Sequence, residues 1–130
     1  MKFVPVRDHL ELKDSRMEVD IYHVINNNHM ASGLMARVPA HRILVEADLT
    51  TRGWDYQWWG GSLMDNIEHR RIQVDRLSPV HGQVEPLADV VKEIERQVEG
   101  ARALCARAAE ARLYRPGCPV QYTREPRRPR

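Results

Sequence analysis

Two apolar runs joined by a proline-containing turn constrain the fold of this chain more than any other feature. Residues 33–38 read GLMARV, residues 42–47 read RILVEA, and Pro39, Ala40 and His41 separate them. Such runs are typical of β-strands, and the short connection predicts an antiparallel hairpin. The second run is almost continuously apolar, which is typical of a central strand covered on both faces. The rest of the chain is therefore expected to pack around a sheet.

A histidine and an aspartate lie at the two ends of this hairpin. His29 follows an asparagine-rich turn, and Asp48 ends the second strand, where a carboxylate is costly unless it is paired or binds a cation. A third candidate, His81, ends a strand predicted over residues 74–80. Imidazole and carboxylate groups from the ends of different strands are common zinc ligands. His29, Asp48 and His81 are therefore candidate metal ligands, and cap or turn roles for them stay open.

Periodicity predicts the other elements. Apolar residues alternate with mostly polar ones over residues 17–25, which predicts a strand with one buried face. His23 falls on the apolar side, either as a core histidine or as a partner of a ligand. Residues 62–73 and 86–112 have the three-four spacing of amphipathic helices. Ser62 with Asp65 predicts a capping box at the start of the first helix.

The charge of the chain is unevenly distributed. The formal net charge is +2, but residues 113–130 contain five arginines against one glutamate, so the remainder is slightly negative. The body is therefore not a nucleic-acid surface, and only this tail could be one. The tail is also rich in proline and poor in apolar residues, which predicts disorder.

Two features of the sequence bear on the cellular location of the chain. No apolar run has the length of a membrane span, and no signal-like segment precedes Arg7, so the chain as written is expected in the cytoplasm, whereas a longer parent protein could be exported. Cys105 and Cys118 are too few for a disulfide framework and lack the spacing of a zinc site. Whether they pair stays open.

All three tryptophans, Trp54, Trp58 and Trp59, lie in one glycine-flanked loop. Aromatic side chains next to a candidate site either line a substrate pocket or fold back over the helices. Both interpretations stay open.

Taken together, these motifs resemble the second half of a hydrolase of the metallo-β-lactamase fold, in particular a bacterial branch. The resemblance lies in H-x-x-x-G-L-M-A-x-x-P-x-x-x-I-L-V-E-A-D from His29 to Asp48, in the following SLMDNIEHRRIQVDR, and in L-S-P-V-H-G. It implies an α/β fold of the α+β type: half of an αββα sandwich, with a mixed or antiparallel sheet and helices on one face. Residues 1–99 would form the C-terminal portion of that domain, 100–112 would continue its last helix, and 113–130 would form the tail.

The resemblance also implies residue roles. By position, His29 resembles the histidine that completes the ligands of one zinc ion, Asp48 the aspartate that bridges two ions, and His81 the histidine on the second. The family uses metal-activated hydroxide to attack small-molecule substrates. Tyr22 and the tryptophan loop would lie on the substrate side.

The family's H-x-H-x-D-H motif, which supplies the remaining ligands, has no counterpart in this sequence. Metal binding by this chain alone is therefore expected to be weak or absent. Three alternatives stay open: a C-terminal segment of a metallohydrolase that is incomplete as a catalyst, a half-site completed by an N-terminal half-domain partner or a homo-oligomer, and a non-catalytic binding module that contacts an acidic partner through its alanine-rich helix and basic tail.

Overall fold

A six-stranded sheet, in which the strands lie in chain order, organises the protein. The structure is a computed structural model that describes residues 3–27, 29–50, 53, 60–111, 113 and 118. The strands are β1 (His9–Lys13), β2 (Glu18–His23), β3 (Leu34–Val38), β4 (Ile43–Glu46), β5 (Arg76–Pro79) and β6 (Glu85–Pro86), and the helices are α1 (Gly61–His69) and α2 (Leu87–Glu110). Neighbouring strands are antiparallel except for β4 and β5, which are parallel. The predicted α+β class with a mixed sheet is confirmed.

Local turn chemistry explains where the first four strands begin and end. Between β1 and β2, the carboxylate of Asp14 accepts hydrogen bonds from the backbone N–H groups of Arg16 (2.7 Å) and Met17 (2.8 Å). An aspartate in this position replaces part of a backbone turn. Between β3 and β4, the predicted connection is a short 3-10 helix, Pro39–His41, after which Arg42 has a φ of 50°. The predicted hairpin is therefore confirmed.

α1 lies in the connection between the parallel strands β4 and β5, where a crossover is required. It begins at Gly61 and has no side-chain cap, so the predicted capping box is wrong. The hydroxyl of Ser62 instead donates to the carbonyl oxygen of Ile25, 3.2 Å away. The helix ends at His69, earlier than predicted, and Arg71 just beyond it has a φ of 53°.

Both helices pack against the same face of the sheet, here called the helix face. The strand register places Leu44 of β4 beside Leu77 of β5 on this face, and both are fully buried (0% exposed). Their core cluster includes apolar side chains of α1 and α2: Leu63, Ile67, Val90 and Ile94. The prediction of helices on one face is confirmed.

The opposite face, here called the open face, carries no described helix. The register assigns to it nine apolar residues of the first four strands: Leu10, Leu12, Val19, Ile21, Leu34, Ala36, Val38, Ile43 and Val45. All nine are half-buried or exposed, and none belongs to the buried core.

Two sequence expectations about these strands are therefore wrong. The alternation in residues 17–25 predicts that the apolar side of β2 is buried, but the buried residue of β2 is Asp20, on the helix face. The composition of β4 predicts cover on both faces, but only Leu44 and Glu46 are buried. The physical reason is the same in both strands: the helices that could cover the sheet lie on its other side.

Asp20 is tolerated in the interior because its carboxylate has polar partners, one of which is the guanidinium of Arg37. It is 5% exposed, and its carboxylate contacts His9 Nε2 at 3.0 Å and Arg37 Nη1 at 3.3 Å. A buried carboxylate without such partners would be strongly destabilising. These two contacts also join β1 and β3 to β2.

The C-terminal part of α2 is covalently tied to the residues that follow it, since Cys105 and Cys118 form a disulfide. Apart from Leu113 and Cys118, the predicted tail of residues 113–130 lies outside the described residues. In the part of the chain that the structure describes, no helix combines the length and the apolar composition needed to cross a membrane.

Leu77→Ala is expected to lower the free energy of unfolding by about 2–5 kcal/mol, because it removes a fully buried side chain from the core under the helices. Val84→Ala is the matched control: Val84 is 52% exposed, so a change within about 0.5 kcal/mol is expected. Urea unfolding followed by circular dichroism measures both. Equal losses in the two variants would contradict this description of the core.

Candidate metal centre at one edge of the sheet

The sheet topology brings the segments with the three candidate ligands to one edge. β3 is antiparallel to β4, so the start of β3 lies beside the end of β4, and β5, parallel to β4, ends at the same edge. His29 lies in the loop before β3, Asp48 follows β4, and His81 follows β5.

Asp48 and His81 contact each other there. Asp48 Oδ1 lies 3.5 Å from His81 Nε2, with 47% of the Asp48 side chain and 73% of the His81 side chain exposed. Asp48 has a φ of 60°, a backbone conformation that aspartate adopts more readily than most residues. The sequence expectation of a buried carboxylate at Asp48 is therefore wrong, and the pair is open to solvent.

The distance between Asp48 Oδ1 and His81 Nε2 is compatible with both atoms binding the same metal ion. Ligand atoms about 2.0–2.1 Å from a tetrahedral zinc ion are about 3.3–3.4 Å apart. The observed 3.5 Å is close to that value. One carboxylate oxygen and one imidazole nitrogen also match the ligand types that zinc prefers. The two side chains present therefore fit a zinc ion, and they leave its remaining positions to other ligands.

The buried carboxylate at this edge is Glu46, which is 1% exposed. Its Oε2 accepts a hydrogen bond from Leu49 N (2.7 Å), and its Oε1 accepts one from Thr50 Oγ1 (2.8 Å). Burial raises the pKa of Glu46, and these hydrogen bonds partly offset the shift. The side chain thus holds the turn that carries Asp48.

Glu46 also fixes the position of His81 through its backbone. Its carbonyl oxygen accepts a hydrogen bond from Val80 N, the residue before His81, at 2.9 Å. One residue therefore ties both members of the pair to β4. Sequence reasoning did not single out Glu46, although a signal was present: at period two it shares a sheet face with the core residue Leu44.

The loop that carries His29 is anchored by α1. The side-chain amide of Asn66, which is fully buried, accepts from Ile25 N (3.0 Å) and donates to Ile25 O (2.8 Å). Within the loop, Asn27 Oδ1 accepts from the backbone N–H groups of His29 (2.8 Å) and Met30 (3.3 Å). The asparagine-rich stretch is thus a side-chain-stabilised turn, as predicted.

His29 does not form a compact three-ligand group with Asp48 and His81. Within the described ranges, the one group of three metal-capable side chains with donor atoms all within 4.8 Å is Glu11, Glu18 and Asp20 on β1 and β2. A site with two ions does not require such a group at the sheet edge, because His29 and His81 are expected on different ions. The metal role of His29 stays a prediction.

The candidate substrate-lining residues are only partly described. Tyr22 stacks on His9 with ring centroids 4.6 Å apart, and the Arg70 guanidinium lies 5.2 Å from its ring centre. Burial, followed by the nearby Asp20 charge, raises the pKa of Tyr22. These contacts hold β1, β2 and the end of α1 together, and a substrate role for Tyr22 stays a prediction. Trp54, Trp58 and Trp59 lie outside the described residues.

Comparison with known proteins rests on the structure alone, because neither a family model nor a curated protein matches the sequence. Among solved structures, a metallo-β-lactamase from Pontibacter korlensis aligns over 70% of this chain and 46% of its own, with a TM-score of 0.54 and 11% identity. The chain has the fold of about half of a metallo-β-lactamase. A double mutant of the sec-alkyl sulfatase PisA1 aligns over 85% of this chain and 19% of its own, with a TM-score of 0.53 and 18% identity.

The chain spans less than half the length of either metallo-β-lactamase-fold neighbour. At these identities the likeness concerns the fold. The activities of these two neighbours therefore do not by themselves assign an activity to this chain.

Glu46→Ala is expected to lower the free energy of unfolding by about 2–4 kcal/mol, because it leaves the Leu49 N–H and the Thr50 hydroxyl without their acceptor. Glu46→Gln is the matched control, since its amide oxygen still accepts one of the two bonds, and a smaller loss is expected. Chemical unfolding of both variants measures the difference. Wild-type stability in Glu46→Ala would contradict an anchoring role for Glu46.

Proposed function

We propose that this chain is the C-terminal half of a zinc-dependent hydrolase of the metallo-β-lactamase superfamily, of the bacterial hydrolase branch. The observation that carries the proposal is the Asp48–His81 pair, 3.5 Å apart at the edge of a sheet that has this fold. His29 is the third ligand by position in the sequence motif. The substrate is a small molecule whose class the two neighbours do not determine.

Each proposed ligand has a separate task. Asp48 offers two oxygen atoms, so it can contribute to two ions at once, whereas His81 offers one nitrogen to one of them. Zinc in such a site supplies Lewis acidity, which polarises a carbonyl or phosphoryl oxygen of the substrate. Glu46 holds the Asp48 turn, and Asn66 holds the start of the His29 loop, so both ligand-bearing segments have buried anchors.

The proposed site is incomplete in a single chain. Two adjacent donors fill half of a tetrahedral coordination shell. A second polypeptide, either an N-terminal half-domain or another copy of this chain, would have to supply the other ligands before hydrolysis could occur. The alternative of a binding module rests on the alanine-rich part of α2 and on residues 113–130, and of the latter the structure describes only Leu113 and Cys118.

Asp48→Ala and His81→Ala are each expected to weaken zinc binding roughly tenfold or more, because each removes one of two adjacent donors. Isothermal titration of the metal-free protein with zinc measures the affinity. Cobalt, whose absorption reports its coordination, serves as a second probe.

The controls for this titration are His41→Ala and Asp65→Ala, which remove an exposed imidazole in the β3–β4 connection and an exposed carboxylate on α1. Both variants are expected to keep wild-type affinity. If Asp48→Ala and His81→Ala bind zinc as tightly as wild-type protein does, or if the controls weaken binding as much as Asp48→Ala does, the metal assignment is wrong.

A further inference from the structure

The last helix, α2, is held by the core over only part of its length. Its buried side chains are Val90, Ile94, Gln97 and Ala101, which follow one another at the three-four spacing of a single helix face. Every residue from 102 to 110 is half-buried or exposed. These nine residues, about two and a half turns, therefore extend past the part of the helix that the core holds.

The disulfide lies on the same face of α2, just after the last buried side chain. Cys105 comes four residues after Ala101, so it continues the buried series in register. Its partner, Cys118, lies beyond the end of the helix, and the two Cα atoms are 5.4 Å apart. The bond thus joins the chain after α2 to the turns that lack buried side chains.

The other described features of this part of α2 constrain it weakly. Arg102 Nη1 lies 3.9 Å from Glu99 Oε2, and both side chains are exposed. An exposed ion pair of this kind adds little to stability. Gly100 lies in the helix interior, where glycine is less favourable than other residues except proline. The disulfide is therefore the main constraint on residues 102–110 among those that the structure describes.

We propose that the Cys105–Cys118 disulfide is a redox switch, which fixes the last turns of α2 when it is formed and releases them when it is reduced. The bond closes a loop over a sequence separation of 13 residues and so removes many conformations that a frayed helix end would adopt. Without it, the residues after Ala101 form a helix end that no buried side chain holds. Such ends fray, because most helical stability in proteins comes from packing.

A dithiol is the class of reductant that fits this bond. Both cysteines are half-buried, so a thiolate can reach one of their sulfur atoms. The thiolate attacks that sulfur, the S–S bond breaks, and a mixed disulfide forms, which the second thiolate of the reductant then attacks. The two cysteines gain two electrons and two protons and become thiols, while the dithiol becomes a disulfide. A small disulfide such as oxidised glutathione reverses the reaction by the same exchange.

Hydrogen exchange of the full chain, measured by mass spectrometry on peptides from α2, tests the proposal. Dithiothreitol without denaturant is expected to reduce the bond and to lower the protection of the backbone amides of residues 106–111 roughly tenfold or more, because their helical turns lose their main constraint. The protection of residues 90–97 is expected to stay unchanged, because Val90 and Ile94 remain in the core.

Cys118→Ser is the matched variant, because it removes the bond and leaves the sequence of α2 unchanged. It is expected to show the low protection of reduced wild-type protein both with and without dithiothreitol. Ala109→Ser is the control, since it changes an exposed residue of the same turns and keeps both cysteines. It is expected to respond to dithiothreitol as wild-type protein does.

Equal protection of residues 106–111 in oxidised and reduced wild-type protein overturns the proposal. Two free thiols after treatment with oxidised glutathione also overturn it, and so does a bond that opens only when urea unfolds the chain. Loss of protection that extends to residues 90–97 would show that the bond supports the whole fold instead of switching one end of a helix. Neither cysteine is a proposed zinc ligand, so this test and the zinc titration can fail separately.

Discussion

The parallel pairing of β4 and β5 is the constraint on which the arrangement of this protein depends. It aligns Glu46 with Pro79, so that both strands end at the same edge and the residues after them meet. Parallel strands need a crossover connection, and α1 lies within it. The crossover also places Asn66 against Ile25, and thereby fixes the loop before β3 at that edge. One pairing thus organises the whole candidate site.

Much of this arrangement could be predicted from the sequence, because it depends on local patterns. The hairpin, the strand before His81 and the long last helix follow from apolar runs, proline and three-four periodicity. The same patterns place Asp48 and His81 at strand ends, and the structure brings them into contact. The sequence motifs also indicate the metallo-β-lactamase fold, although no family model matches the sequence.

The sequence could not predict which face of each strand is covered by the helices. Alternation shows that Val19 and Ile21 share one face and that Asp20 lies on the other, but it does not say where the helices pack. Apolar residues are therefore assigned to the interior by default, and here that default is wrong for β2. The apolar composition of β4 likewise predicts that Asp48, at its end, is buried. The buried carboxylate is instead that of Glu46, which lies on the helix face.

The hydrogen bonds of Glu46 have a consequence for how such a site can diversify. They end at Leu49 and Thr50, so the position of Asp48 is set within β4 and the first residues after it. Substitutions beyond Thr50 can therefore accumulate in evolution while these two hydrogen bonds, and with them the position of Asp48, are kept.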